Sequence, residues 1–388
     1  MSERTQNAAE RIALTAEGQG IVLHRHTENG SRCEVSADGV TWRAQEGSAP
    51  EAAYPPPLPG DAPWYEPLAE PEMTVVPERA ATGWRAFFCA RRRSGRHPER
   101  LGCIGTARSA DLRSWEMEPP IYAPNSFARL HSPHLFAEAG RTVLFYSTPE
   151  EGGHRAVRFA LGQGSEGPFE RTEPDVLAAD VRCAVQTVML RERRLAFFLR
   201  PSHEAPMRME LSRPGSLDFH PDGRPFVRFY EGLLKLLGRA LFQTEATLAS
   251  GEPLVRVLPR MGGEFRYAAR IRSRGATGAG LLFRTSMTGH ENMTLWLEFD
   301  SGAVTLRRGV NGRIEARARR KLDPAREHQV AIWVEGRFAD VYVDEEWVLS
   351  GRSEGRQSGG FGVAVRGGEA RFEGITAQQI GTERTNSE

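Results

Sequence analysis

Glu70-Pro71-Glu72-Met73-Thr74-Val75-Val76, then Trp84-Arg85-Ala86-Phe87-Phe88-Cys89, then Ile104-Gly105-Thr106-Ala107-Arg108-Ser109-Ala110-Asp111-Leu112-Arg113-Ser114-Trp115-Glu116 is the stretch that decides the fold. A Pro-containing strand start leads to an aromatic-rich strand, and a third strand ends in a Ser-Asp turn before a Trp. The same cadence returns in Ser132-Pro133-His134-Leu135-Phe136, Arg141-Thr142-Val143-Leu144-Phe145-Tyr146-Ser147 and Ala156-Val157-Arg158-Phe159-Ala160, closing before Phe169. A weaker copy follows in Ala184–Leu190, Arg194–Leu199 and Met207–Ser212. Upstream, Gly20–Arg25, Arg32–Ser36 and Asp38–Trp42 read as the outer strands of one more. Repeats of roughly 40 to 50 residues, each several strands long, predict a β-propeller, because a small sheet cannot bury its own faces and must pack on copies of itself. The start of each unit is then an inner strand lining a central funnel.

The chain has 388 residues, more than one core usually supports, so two domains are expected. With 51 basic against 50 acidic residues the net charge is +1, which provides no overall field to draw nucleic acid or an anionic membrane. The N-terminal residues Met1-Ser2-Glu3-Arg4-Thr5-Gln6-Asn7 lack the apolar run of a signal peptide, and no stretch approaches the ~20 apolar residues of a membrane span. A cytoplasmic protein is the expectation. Cys33, Cys89, Cys103 and Cys183 show no CxxC spacing and read as buried thiols, with a Cys89–Cys103 bridge across a hairpin as the alternative.

The Pro-dense run Tyr54–Pro63 is a loop or crossover within the propeller. Glu231-Gly232-Leu233-Leu234-Lys235-Leu236-Leu237-Gly238-Arg239 is a short helical apolar pattern marking a domain boundary. Beyond it, Glu264–Ile271, Gly280–Arg284, Met293–Phe299, Ala303–Arg307, Gln329–Val334, Phe338–Asp344 and Gly360–Val365 alternate with period two between Gly-containing turns, which predicts a sandwich of antiparallel sheets. The expected fold is therefore all-β, with a propeller of four or five blades over 1–235, a jelly-roll-like or concanavalin-like sandwich over 240–380 and a polar tail over 381–388. A fifth blade would have to be assembled from the N-terminal segment and residues 219–260.

A propeller followed by a sandwich is similar to the clan of five-bladed glycoside hydrolases that includes families 32, 43 and 68. The phrases that carry the resemblance are Ser109–Glu116, Ser132–Phe136 with Val143–Ser147, and, for the attached concanavalin-like sandwich, Glu327–Val334, Asp340–Asp344 and Gly360–Val363. The resemblance implies a nucleophile or base in an Asp-Pro segment, a stabilising Asp in an Arg-Asp-Pro segment and a general-acid Glu in a Glu-Cys-Pro segment. In this chain the nearest matches are Glu70-Pro71, Ser132-Pro133 preceded by His131, and Arg182-Cys183-Ala184. Two of the three carboxylates are replaced, and an arginine cannot donate a proton to a leaving oxygen at neutral pH.

Candidate catalytic residues are Glu70, Glu72, His131, His134 and Arg182; candidate substrate contacts are Asp61, Trp64, Tyr65, Glu66, Gln186 and His203. In a strand, Glu70 and Glu72 share a face, where mutual repulsion would raise one of them into an acid's range; a solvated strand entry is the alternative. His131 and His134 are general-base candidates against buried, backbone-bonded imidazoles. Arg182 fits a salt bridge with Glu70 or Glu72, or a substrate anion. Trp64 and Tyr65 fit a stacking wall or a lid over the core, and His203 an overhanging or plain turn. No cofactor and no metal are expected, since no DxDxDG cluster, GxSxG elbow or Gly-rich phosphate loop occurs.

Three functions follow as expectations. The first is a glycosidase-like enzyme acting on a small glycoside or furanoside, using Glu70 or Glu72 with a second acid such as Glu66 or Asp61. The others are a non-catalytic glycan-binding protein and a repurposed propeller in which His131, His134 and Arg182 perform acid–base chemistry of a cyclase or isomerase type. The expected partner is a small molecule, with no nucleic acid and no membrane.

Overall fold

The computed structural model describes residues 11–381 apart from 18–19, 28–29, 46–62, 68–72, 78–82, 96–97, 139, 150–154, 165, 179–183, 202–208, 250–253, 287–290 and 354–357. The chain divides into two compact units, Met1–Leu177 with Val181–Pro225, and Ala178–Asp180 with Phe226–Glu388. Among the described residues no helix is long and apolar enough to cross a membrane.

Four antiparallel sheets make up the first unit. Sheet one is β1 (Arg11–Glu17), β2 (Gly20–Thr27), β3 (Gly30–Ser36) and β4 (Arg43–Gln45) in that order. Sheet two holds β5 (Tyr65–Pro67), β6 (Met73–Pro77), β7 (Trp84–Arg92), β8 (Gly102–Ser109) and β9 (Glu116–Tyr122), with β5 and β6 both on the same neighbour, β7. Sheet three is the meander β10 (His131–Glu138), β11 (Arg141–Pro149), β12 (Arg155–Gly162) and β13 (Phe169–Ala178). Sheet four comprises β14 (Val185–Leu190), β15 (Arg193–Pro201), β16 (Met209–Leu211) and β17 (Gly215–Phe219).

The middle strands explain why the sequence shows apolar runs here instead of alternation. Ala86, Phe87, Phe88, Cys89 and Ala90 of β7 are all buried, because the sheet is covered on both faces. Phe88 packs with Tyr65, Cys103, Ala107 and Trp115 on one face. Phe87 packs on the other with Ile104, Tyr122, Leu135 and Leu144, which makes the seam to sheet three. The N-terminal sheet lies against sheet four: the Trp42 and Phe197 rings are 6.1 Å apart, and a side chain at Gly39 (φ +73°) would meet Leu195. The N-terminal segment thus packs next to the last described sheet, whereas residues 237–262 of the expected fifth blade are strands of the second unit.

The Ser-Asp phrase is the same device twice. Asp38 Oδ1 accepts the N–H groups of Val40 and Thr41 at 2.8 Å, and Asp111 Oδ1 those of Arg113 and Ser114 at 2.8 Å. In each copy the serine two residues earlier donates its hydroxyl to the aspartate at 3.2 Å. These Asx turns close the link between the third and fourth strands, so Asp38–Trp42, expected as a strand, is mostly that turn.

Cys89 is opposite Ile104 and Cys103 opposite Ala90. Neighbouring positions on a strand point to opposite faces, so the two thiols are on opposite sides of the sheet; Cys33, Cys89 and Cys103 are free. Burial pushes the Cys103 thiol up to about 12.

The second unit begins with β18 (Pro225–Phe229), whose Arg228 pairs with Glu346 and whose Phe229 N–H donates to Glu345 O at 2.8 Å. Those bonds put residues 226–235 with the second unit, ahead of the boundary at 235 to 240 read from the sequence. A one-sided apolar pattern becomes the short 3₁₀ helix Glu231–Leu236, and extended chain follows at once. One sheet comprises β18, β28 (Glu346–Arg352), β27 (Phe338–Val343), β26 (Glu327–Glu335), β21 (Phe265–Arg274), β30 (Glu369–Ile380) and β19 (Leu237–Ala249). The other runs β20 (Leu254–Gly262), β29 (Ser358–Arg366), β22 (Gly278–Thr285), β23 (Met293–Glu298), β24 (Ala303–Arg308) and β25 (Ile314–Arg319).

Their facing residues, among them Phe265, Tyr267, Leu281, Leu295, Leu306, Ile332, Val341 and Phe361, form one buried core. A Cβ at Gly359 would lie 2.5 Å from the Arg284 carbonyl carbon and 2.7 Å from Thr285 N. Gly359→Ala is therefore expected to lower the sandwich's stability by about 1–3 kcal/mol, read by denaturant titration.

Candidate functional site at the inner-strand starts

The inner strands of three sheets are tied side by side near their first residues. The Thr74 hydroxyl of β6 donates to Pro133 O of β10, and the Thr187 N–H of β14 donates to His134 Nε2 of β10 at 3.0 Å. Each of the first two is irregular at this end. Pro67 is opposite Ala90 and Met73 opposite Phe88, so the ladder has one position, Cys89, for the five residues between them. On β10, His131 pairs with Ser147 and His134 with Phe145, with a bulge between, and Ser132 takes φ +49°. Bulges bend a strand and re-aim its side chains, and they collect at functional rims.

Asp61, Glu70, Glu72, Arg182 and His203 lie outside the described residues. The register nevertheless removes the premise that Glu70 and Glu72 occupy successive same-face positions of one regular strand. The inner strand begins earlier, at Tyr65, an element the sequence reading passed over; its signal was Trp64-Tyr65-Glu66-Pro67 immediately after the proline-dense loop.

Trp64 is 41% exposed at the entry of β5, and its carbonyl accepts the Arg93 N–H at 3.1 Å. It remains available for stacking. Tyr65 does not: it is fully buried, edge-on to Phe88 at 5.6 Å, and its hydroxyl lies 2.7 Å from Glu118 O and 2.9 Å from Thr106 O. Desolvation pushes its phenol well above the ordinary range, so it is a core residue and not part of a stacking wall. Glu66 is exposed and 3.7 Å from Arg93. His131 and Gln186 are half-buried at the starts of β10 and β14.

His134 departs from the general-base expectation. Its Nε2 accepts a backbone N–H and lies 2.9 Å from Thr187 Oγ1, which fixes the proton on Nδ1. Burial, reinforced by Arg194, pushes the imidazole down to about 3, so it is neutral at physiological pH and acts as a clasp between sheets three and four. The sequence could not separate base from clasp because its partner is 53 residues away.

A cleft of about 480 Å³ is lined by Glu138, Arg141, Gln163, Met189 and Arg194. It sits at the opposite end of β10 from His131, about 23 Å along the strand at 3.3 Å per residue. Arg194 there is engaged, 2.7 Å from Glu138 and stacked on Phe136 at 4.3 Å. Among the described residues no group of three His, Cys, Asp or Glu side chains gathers to hold a metal.

No family model and no curated protein matches the sequence. The fold, in contrast, has many solved counterparts, and those named here are glycoside hydrolase family 32 β-fructofuranosidases and inulin- or fructan-cleaving enzymes of the five-bladed propeller-plus-sandwich architecture. Fructan 1-exohydrolase IIa from Cichorium intybus aligns over 96% of this chain and 97% of its own, at TM-score 0.65 and 12% identity. Aspergillus kawachii β-fructofuranosidase gives 0.65 at 10% identity, over 97% and 94%. Bombyx mori β-fructofuranosidase BmSUC1 gives 0.60 at 15% identity, over 96% and 79%. At such identities the likeness is one of fold.

Proposed function

We propose that this chain is a glycosidase-type enzyme that takes a small furanoside at the inner-strand starts of its propeller. The observation that carries the reading is the interrupted inner strand of sheet two: Glu66-Pro67 stands on β5, and Glu70-Pro71-Glu72 precedes β6. Carboxylates are thereby concentrated at the funnel end where Trp64 is exposed and His131 begins the neighbouring strand. The solved relatives in fold act on fructosides, which makes a furanoside the substrate class to test first.

In this reading one carboxylate of the Glu66, Glu70 and Glu72 group acts on the anomeric carbon or its water, and a second protonates the leaving oxygen. A spacing of about 5–5.5 Å would give retention and about 6.5–9.5 Å inversion. Trp64 supplies a face for the sugar ring's C–H groups. A repurposed acid–base enzyme is the second reading. It is favoured by the ion pairs that engage Glu66 with Arg93 and Glu138 with Arg194, and by the half-buried His131.

Purified protein assayed on nitrophenyl furanosides, nitrophenyl pyranosides and sucrose tests both. The expected result is furanoside turnover that falls about 10²- to 10⁴-fold in at least one of Glu66→Gln, Glu70→Gln and Glu72→Gln, the range for losing a general acid or base. Turnover unchanged in all three variants would remove these carboxylates. No turnover on any sugar would reject the glycosidase.

A further inference from the structure

The net charge of +1 conceals a local surplus on the sandwich. Between Arg307 and Arg326 the sequence has eight basic residues, Arg307, Arg308, Arg313, Arg317, Arg319, Arg320, Lys321 and Arg326, against Glu315 and Asp323. The acids in reach are already engaged: Glu298 with Arg307 at 2.9 Å, Glu315 with Arg308 at 3.2 Å and Glu346 with Arg320 at 2.6 Å.

β25 is the edge strand of its sheet, and its alternation decides where the surplus points. Ala316 and Ala318 are buried in the core, so Arg317 and Arg319 are exposed on the outer face, and Lys321, also exposed, continues the same alternation. Arg319 and Lys321 have no acidic partner among the described residues. Successive outward residues of a strand are about 6.6 Å apart, so the three cations form a line about 13 Å long. A few edge charges suffice to deter sheet-to-sheet pairing. Such a line at the rim of a face that also carries Arg307 and Arg366 exceeds that need and attracts a polyanion.

We propose that this outer face of the sandwich docks an anionic polysaccharide, its carboxylate or sulfate groups lying along Arg317, Arg319 and Lys321. The face lacks the features other polyanions use. Single-stranded nucleic acid needs exposed aromatics for base stacking, and the tryptophan here, Trp296, is fully buried beneath Arg366 at 4.1 Å with its indole N–H bonded to Val310 O. Base readout in duplex DNA needs a helix or ribbon entering a groove, and this is a strand row on a sheet face. A sugar polymer with repeating anions meets a flat row directly. The docking surface is independent of whether the funnel hydrolyses a glycoside.

The test is equilibrium binding of the full chain to dextran sulfate, polygalacturonate, neutral dextran, a duplex DNA and phosphatidylserine vesicles. It is repeated in Arg317→Gln/Arg319→Gln/Lys321→Gln and in a charge-matched control, Arg191→Gln/Arg193→Gln/Arg239→Gln. The expected result is binding to dextran sulfate or polygalacturonate, whichever anion fits, that weakens at least tenfold in the first variant and less than twofold in the control. Binding should also fade between 0.01 and 0.15 M salt, as the screening length drops from about 30 Å to about 8 Å. No binding to either charged polysaccharide at low salt, an equal loss in the control, or tighter binding to DNA or vesicles would overturn the proposal.

Discussion

Asp175→Ala is expected to destabilise the propeller unit by about 3–5 kcal/mol, a large share of the roughly 5–15 kcal/mol that holds a typical domain together. Asp175 is 3% exposed and receives two guanidinium groups, Arg158 Nη1 and Arg171 Nε, each at 2.6 Å. Behind it the buried hydroxyls of Tyr146 and Tyr122 meet at 3.0 Å, and Tyr146 approaches the carboxylate at 3.5 Å. Burial pushes both phenols up, so they stay protonated and able to donate. The two guanidinium groups also flank the Phe127 ring at 5.0 and 5.5 Å, which ties the β9–β10 connection to sheet three.

Removing the carboxylate leaves two cations facing each other with no anion between them. The cost is that of uncompensated buried charge and exceeds the worth of the ion pairs themselves. Arg171→Gln, at a side chain 32% exposed, should cost well under half as much. Urea unfolding followed by tryptophan fluorescence reads both, and a shift of less than about 1 kcal/mol for Asp175→Ala would show that the network is not a keystone of the seam.

The second large effect is a pH dependence of opposite sign in the two units. His134 in the propeller has its folded value held near 3 by burial and Arg194, against 6.5 when unfolded. The unfolded chain therefore binds the proton more readily. The contribution of His134 is complete above pH 6.5 and is lost as pH falls below it, by about 1.4 kcal/mol per pH unit at most. Protonation would also turn Nε2 into a donor facing the Thr187 N–H, with Arg194 Nη1 3.3 Å from the same threonine's hydroxyl.

In the sandwich, His328 does the reverse. Nδ1 lies 2.9 Å from Asp344 Oδ2 and Nε2 lies 2.9 Å from Asp323 O, both acceptors, so the imidazolium is the form that satisfies the site. Its pKa is raised, chiefly by the Asp344 hydrogen bond. Although burial opposes it, bonding to His328 and the Gln329 N–H lowers Asp344. The His328 contribution is present below pH 6.5 and is lost as pH rises through its raised folded value. Asp344's is present above pH 3.8 and is lost as pH falls through its depressed value.

From pH 6.5 down to about 4.5 the propeller should therefore weaken by about 2–3 kcal/mol from His134 alone while the sandwich holds. Denaturant titrations across that range, in the wild-type chain and in His134→Gln and His328→Gln, separate the two. His134→Gln should flatten the acid loss of the propeller, and His328→Gln the alkaline loss of the sandwich. An acid slope identical in His134→Gln would remove the clasp as its cause.

What could be read in the sequence was whatever short-range physics writes into adjacent residues. Val143–Tyr146 and Phe87–Phe88 marked strands buried on both faces, the paired Ser-Asp phrases marked turns whose hydrogen bonds span three residues, and Leu295-Trp296-Leu297 in its period-two setting marked a sandwich sheet. These fixed an all-β chain with two kinds of β architecture.

Only the tertiary structure decided what depended on pairing between distant segments. The break between β5 and β6 is defined by where Pro67 and Met73 fall on β7. His134 became a clasp through Thr187, Tyr65 a core residue through Thr106 and Glu118, and Asp175 a buried anion through arginines on two strands. The surplus of positive charge along β25 emerged once the neighbouring acids were seen engaged with other arginines. Burial, and with it every shifted proton equilibrium and every free charge, is set by which strands come together, and a local sequence pattern does not carry that register.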